Sequence, residues 1–154
     1  MYKKVLVPLD GSELAECALS HVKNMVKDGF VEEVTILNVF PATVAILGAG
    51  GTETQYVDAN AIKENHRLDS LRYVEEVKSR LASENIKTNV ESVESNRTAD
   101  TIIDYVQKND IDLIVIATHG YSGLKKFVFG SVANQVLSNS RVPVLLIRPE
   151  SCWT

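Results

Sequence analysis

The chain has 154 residues, 45% of them apolar and 23% charged, and a formal net charge of −4. That length predicts a single domain over residues 1–154, able to take about two-thirds of its unfolded surface out of water. The acidic balance excludes a broad nucleic-acid interface, which needs a dense basic patch, but leaves room for one small anion held by backbone donors. Cys17 and Cys152 have no paired spacing. Neither a disulfide framework nor a thiolate metal site is expected, and a reducing, cytoplasmic setting follows.

The start, "MYKKVLVPLD", has charge, an apolar run too short for a secretory leader, then proline and aspartate. It reads as a first strand over 5–9. In "DGSELAECALSHVKNMV", Leu14, Ala18, Val22 and Met25 recur at helical spacing. Ser12 suits the N-cap, Glu13 and Glu16 suit the positive helix end, and Gly29 suits the C-terminal stop. Residues 34–52 carry no charge, which is long enough to suggest a membrane span. Asn38, Pro41 and three glycines interrupt it, so it divides into a buried strand over 34–40 and a partly apolar loop.

A long helix over about 60–84 follows, with Leu71, Val74, Val77 and Leu81 as its buried stripe. A less apolar strand over 88–93 belongs near a sheet edge. Thr98 is placed to cap a helix whose inner face is Ala99, Ile102, Ile103 and Val106. A central strand over 113–117, a helix over 131–137 and a last strand over 142–147 complete the order. Strand–helix alternation of this kind predicts an α/β fold, a parallel sheet with helices on both faces.

Such sheets bind ligands beyond the carboxyl ends of their strands, where strand order reverses. Two loops leave apolar strands with unusual chemistry: "PLDGS" at 8–12 and "ATHGYSG" at 117–123. If the two strands are neighbours, both loops line one crevice. Glycines let backbone N–H groups approach a bulky anion, and a helix N-terminus adds free donors and positive potential. Gly120, Gly130, Ser131 and Val132 have the composition of a phosphate cradle, with Lys125 and Lys126 between them. Gly-Ser before a helix is equally an ordinary N-cap. No Walker A loop occurs, and no GxGxxG follows the first strand. Asp10 can meet a sugar hydroxyl or cap the first helix. His119 reads as an exposed loop histidine, and no nucleophile elbow accompanies Ser131.

These residues resemble the universal stress protein family along essentially the whole chain. The resemblance rests on "KKVLVPLDGSELAECAL", "VTILNV" and "IVIATHGYSGLKKFVFGSVANQVL…PVLLIRP". The family's nucleotide motif is GxxG, nine residues, then Gly-Ser or Gly-Thr; Gly120, the spacer 121–129 and Gly130-Ser131 fit it. Its first glycine is Ala117 here. If that position needs positive φ, alanine costs about 1–2 kcal/mol; if it needs only a small side chain, a methyl is tolerated.

The resemblance implies a five-stranded, Rossmann-like sheet of order 3-2-1-4-5 and a homodimer formed through the last strand. It also implies ATP as ligand, with Mg or Mn carried on the phosphates. Pro8 and Asp10 would lie at the adenosine and the main chain of Val39 at the adenine edge. Ile116 and Ala117 would flank base and ribose, and Gly120, Gly130, Ser131 and Val132 would hold phosphates. The implied role is a nucleotide-dependent sensor or regulator in stress response, acting on a protein partner that the sequence does not name. No activated nucleophile or committed general base is visible, so efficient hydrolysis is not expected, and slow hydrolysis stays open. A nucleotide-free dimeric interaction protein of the same family is the alternative.

Overall fold

The computed structural model of the chain describes residues 1–42, 59–118 and 130–148. Strand and helix alternate through β1 (Tyr2–Pro8), α1 (Glu13–Lys27), β2 (Val31–Phe40), α2 (Ala59–Ala82), β3 (Thr88–Glu94), α3 (Thr98–Lys108), β4 (Leu113–Ala117), α4 (Ser131–Asn139) and β5 (Val144–Ile147). The strands form one parallel sheet of order β3-β2-β1-β4-β5.

Side chains alternate across a strand, so each strand feeds two cores. Val5, Val7, Val34, Ile36, Leu113 and Val115 face α1 and α2, where Ala18, Leu19, Val22, Val74, Val77 and Leu81 meet them. Leu6, Leu37, Ile114 and Ile116 face α3 and α4, against Ala99, Ile102, Val106, Ala133 and Val136. Both faces of the central strands are covered, which is why they read as unbroken apolar runs. Residues 34–40 of the uncharged stretch therefore lie in a sheet. No helix among the described residues is long and apolar enough to cross a membrane.

Turn chemistry closes the helices. Gly29 has φ +76°, with its N–H on the Val26 carbonyl at 3.0 Å and the Phe30 N–H on Met25 at 2.8 Å. This is the paired bonding of a Schellman stop, and only φ > 0 at Gly29 permits it. Asn85, at φ 60°, performs the same office after α2, with the Ile86 N–H on Leu81 at 3.1 Å. At the amino end of the sheet, the Asp112 carboxylate accepts the Lys3 N–H at 2.8 Å and the Lys4 N–H at 3.1 Å. It staples β1 to the start of β4.

Several expectations need correcting. Leu14 and Leu71 sit on the periodic stripes yet are 39% and 37% exposed, because α1 and α2 meet the sheet with narrower faces than the spacing suggests. Thr98 is the first residue of α3 and not its cap: Arg97 holds the cap position and makes no side-chain capping bond. Ser95 does nearby work, its Oγ accepting the Arg97 N–H at 3.1 Å and the Thr101 hydroxyl at 2.9 Å. β1 and β2 begin earlier than expected, at the registered pair Tyr2↔Val31. Cys17 is disulfide-bonded, so cysteine usage does not argue for a reducing compartment.

Candidate functional site

The sheet comes apart at one place. β1 and β4 are registered at Val5↔Leu113 and Leu6↔Ile114. Beyond that point each strand stays with its outer neighbour: β1 with β2 as far as Pro8↔Leu37, and β4 with β5 as far as Ala117↔Ile147. Pro8 supplies a cause. The Leu9 N–H points to β2, onto the Leu37 carbonyl at 2.9 Å. Strand alternation then aims the Pro8 nitrogen at β4, where it has no hydrogen to donate. The gap lies at the carboxyl end of the strands, between the two whose onward connections run to opposite sides of the sheet. That is the switch point at which open α/β sheets bind ligands.

On the β1 side, Asp10 is exposed and follows the buried Leu9. Its Oδ1 accepts the Ser12 N–H at 2.9 Å and the Ser12 hydroxyl at 2.6 Å. Ser12 Oγ in turn accepts the Ala15 N–H at 3.1 Å, capping α1 as expected. Gly11 makes this turn at φ +86°, in the left-handed region that favours glycine. Asp10 thus does cap locally, by way of Ser12.

On the β4 side, Ile116 is buried in the α3/α4 core, and Ala117 packs half-buried on the α1/α2 core. The Thr118 N–H extends the ladder to the Ile147 carbonyl at 2.8 Å. Ala117 is an extended strand residue. The only non-glycine residues with positive φ among those described are Asn85 and Asp110, so the alanine carries no left-handed strain. Val39, near the end of β2, is half-buried against the α3/α4 core.

α4 differs from α1 in its start. Gly130 is the N-cap, with φ −53° and ψ 151°, and as a glycine it brings no side chain to the helix's leading amides. This φ is open to any residue, so backbone strain does not require the glycine. The first helical bond is Asn134 N–H to the Gly130 carbonyl at 3.0 Å. Ser131 is exposed and Val132 half-buried. α4 ends at Asn139, shortly before β5 starts at Val144, so its far end, about 13 Å away, is directed toward the carboxyl end of the sheet. Gly120, His119, Lys125, Lys126 and the spacer 121–129 lie outside the described residues.

Sequence reading passed over two polar groups that matter here. Asn38 interrupts an apolar strand and is buried; its Nδ2 donates to the Leu9 carbonyl at 2.7 Å. A second cluster joins α1 to α2, where Arg80 grips the Glu16 carboxylate at 2.9 and 3.0 Å and the Tyr73 hydroxyl donates to it at 3.0 Å. Burial opposes ionisation of Glu16, but the hydrogen bonds from Arg80 and Tyr73 outweigh it and hold the carboxyl below its ordinary range. Burial, with the Glu16 charge, pushes the Tyr73 phenol up. An open furrow of about 610 Å³ runs beside this cluster, lined by Arg72, Glu75 and Ser79 among others. Its central charges already satisfy one another.

The family model described as "Universal stress protein family" matches residues 1–148. The chain belongs to the universal stress protein family. Among solved universal stress protein folds, MJ0577 of Methanocaldococcus jannaschii is 30% identical, with a TM-score of 0.73 over 96% of each chain. A universal stress protein solved in complex with cAMP is 16% identical, with a TM-score of 0.67 over 95% of this chain and 97% of that one. A family member from Arabidopsis thaliana with AMP bound is 14% identical, with a TM-score of 0.64 over 95% and 91%. At such identities the last two speak for the fold, which agrees with the universal stress protein sheet order found here.

Proposed function

We propose that this universal stress protein binds ATP in the gap between β1 and β4 and acts as a dimeric, nucleotide-dependent regulator. The observation that carries the reading is the parting of those strands, with Asp10 on one lip and the glycine-capped start of α4 directed toward the same sheet end. Solved relatives with AMP and with cAMP support an adenine nucleotide as the ligand class. In this reading Asp10 accepts from ribose hydroxyls, and Pro8, Ile116 and Ala117 wall the adenosine. The Val39 main chain meets the adenine edge. Gly130, Ser131 and Val132, with Gly120, take the phosphates through amides and a hydroxyl. No three metal-ligating side chains converge among the described residues. Mg or Mn would therefore be carried by the phosphate oxygens and would neutralise their charge.

Among the described residues β5 pairs with β4 alone, and its edge presents Leu145, 38% exposed, beside half-buried Val144 and Leu146. An apolar open edge of this kind supports pairing with a second copy. Regulation follows if nucleotide binds one arrangement of the gap better than another, since only differential affinity moves such an equilibrium.

Thermal unfolding with and without Mg-ATP tests the reading. Ligand at a hundred times its Kd adds about 2.7 kcal/mol, which raises Tm by roughly 5–10 °C in a chain of this size. Gly130→Glu sets a carboxylate at the phosphates and abolishes the shift. A second reading, a nucleotide-free interaction dimer, has its own support: the Asp10–Ser12 turn explains Asp10 without any ligand. No shift at millimolar ATP would select it.

A further inference from the structure

Resting on the ATP reading above, we propose that Asn38 is a positioning residue for the sugar. It acts on Asp10 through the Leu9 carbonyl, as the last member of a buried relay from β3 and α2.

Four groups form the relay. Asn38 Nδ2 donates to the Leu9 carbonyl at 2.7 Å. Ser70 Oγ, from α2, donates to Asn38 Oδ1, and Ser70 and Ser92 share a further hydroxyl–hydroxyl bond. Chemistry fixes the direction of every proton. A carbonyl only accepts, so the amide nitrogen must face Leu9 and the amide oxygen must face Ser70. Ser70 has one proton and gives it to that oxygen. Ser92 must then be the donor to Ser70. No member titrates, so the relay is insensitive to pH over the physiological range.

A buried amide in the middle of an apolar strand is expensive unless fully bonded. Packing does not require it, since Ile36, two residues earlier on the same face, is fully buried and apolar. The amide grips Leu9, the residue where β1 leaves the sheet. Leu9 is thereby held to β2 by both of its main-chain polar groups, its N–H on Leu37 and its carbonyl on Asn38. Asp10 is the next residue, held from beyond by Ser12. Asp10 therefore leaves a fixed peptide and enters a fixed turn. A carboxylate held this way meets a diol without first being ordered, the condition for a strong charge-assisted hydrogen bond.

The readout is the ratio of affinities for ATP and 2′,3′-dideoxy-ATP, which isolates the sugar hydroxyls from the base and phosphates. The wild-type chain prefers ATP by about tenfold or more, as expected of hydrogen bonds to a charged acceptor. Asp10→Ala brings the ratio close to one. Asn38→Leu, branched alike at Cγ but without the donor, lowers the ratio severalfold and leaves dideoxy-ATP affinity nearly unchanged. Ser70→Ala, which releases only the amide's orientation, moves it the same way by a smaller factor and guards against a variant that fails to fold. If Asp10→Ala collapses the ratio while Asn38→Leu and Ser70→Ala retain the wild-type value, Asn38 has no positioning role and the ATP reading stands. If the wild-type chain binds neither nucleotide, the ATP reading falls and this inference falls with it.

Discussion

Ala117 stands where the family motif has glycine, and replacing it with glycine tests whether the departure matters. Residue 117 is extended, registered with Ile147 and half-buried on the α1/α2 core. Glycine there loses part of a buried methyl, about 0.4–0.8 kcal/mol. It also adds backbone freedom to the unfolded chain, roughly 0.5–1 kcal/mol in an element interior. Nothing is regained, because no positive φ is relieved. Ala117→Gly should therefore lower stability by about 1–1.5 kcal/mol and Tm by roughly 3–5 °C. Urea and thermal unfolding measure the first effect, and calorimetric titration with Mg-ATP should show an affinity within about twofold of wild type, since in the proposed reading the phosphates are met at the start of α4 and not at residue 117. A rise in Tm would refute the extended geometry. A tenfold gain in affinity would show that the methyl crowds the ligand.

Ser12→Ala removes the hydroxyl that caps α1 and bridges Asp10, and should lower stability by about 1 kcal/mol in urea unfolding; an unchanged midpoint would mean that the cap is idle. Glu16→Gln should cost about 1 kcal/mol at neutral pH, modest because Arg80 is half exposed. The Glu16 carboxyl is lowered from 4.5, so the wild-type advantage is fully present above that pH and vanishes as pH falls through the lowered native value. An advantage that persisted in acid would point to packing and not charge. Leu145→Glu places a charge on the open β5 edge and should give a monomer by light scattering; a persisting dimer would move the interface elsewhere.

Strand positions were legible because the central strands are covered on both faces and so carry no polar alternation. The stop at Gly29 was legible because its φ leaves few alternatives. Strand order was not legible by pattern: Val5 and Leu113 declare themselves apolar without declaring each other as partners, and the order came from the family resemblance. Leu14 and Leu71 fit a helical period but are exposed, since periodicity shows which side faces inward and not how wide the contact is. Thr98 has the right chemistry for a cap and misses the position by one residue. At the site, Pro8 was visible as a residue but not as the missing donor facing β4, which requires knowing which strand lies there. Asn38 read as an interruption, and its meaning appeared only once Leu9, Ser70 and Ser92 surrounded it.

The strand pair that frames the gap is also the one whose members lie farthest apart in the chain, as the separation of 108 positions from Lys4 to Asp112 shows. Closing so distant a contact is entropically late, after nearer strands and helices have assembled. A chain halted before the fourth strand would lack the β4 wall of the gap. If the gap is the ligand site, competence to bind waits on the closing of β1 against β4, and occupancy would report that this contact has formed.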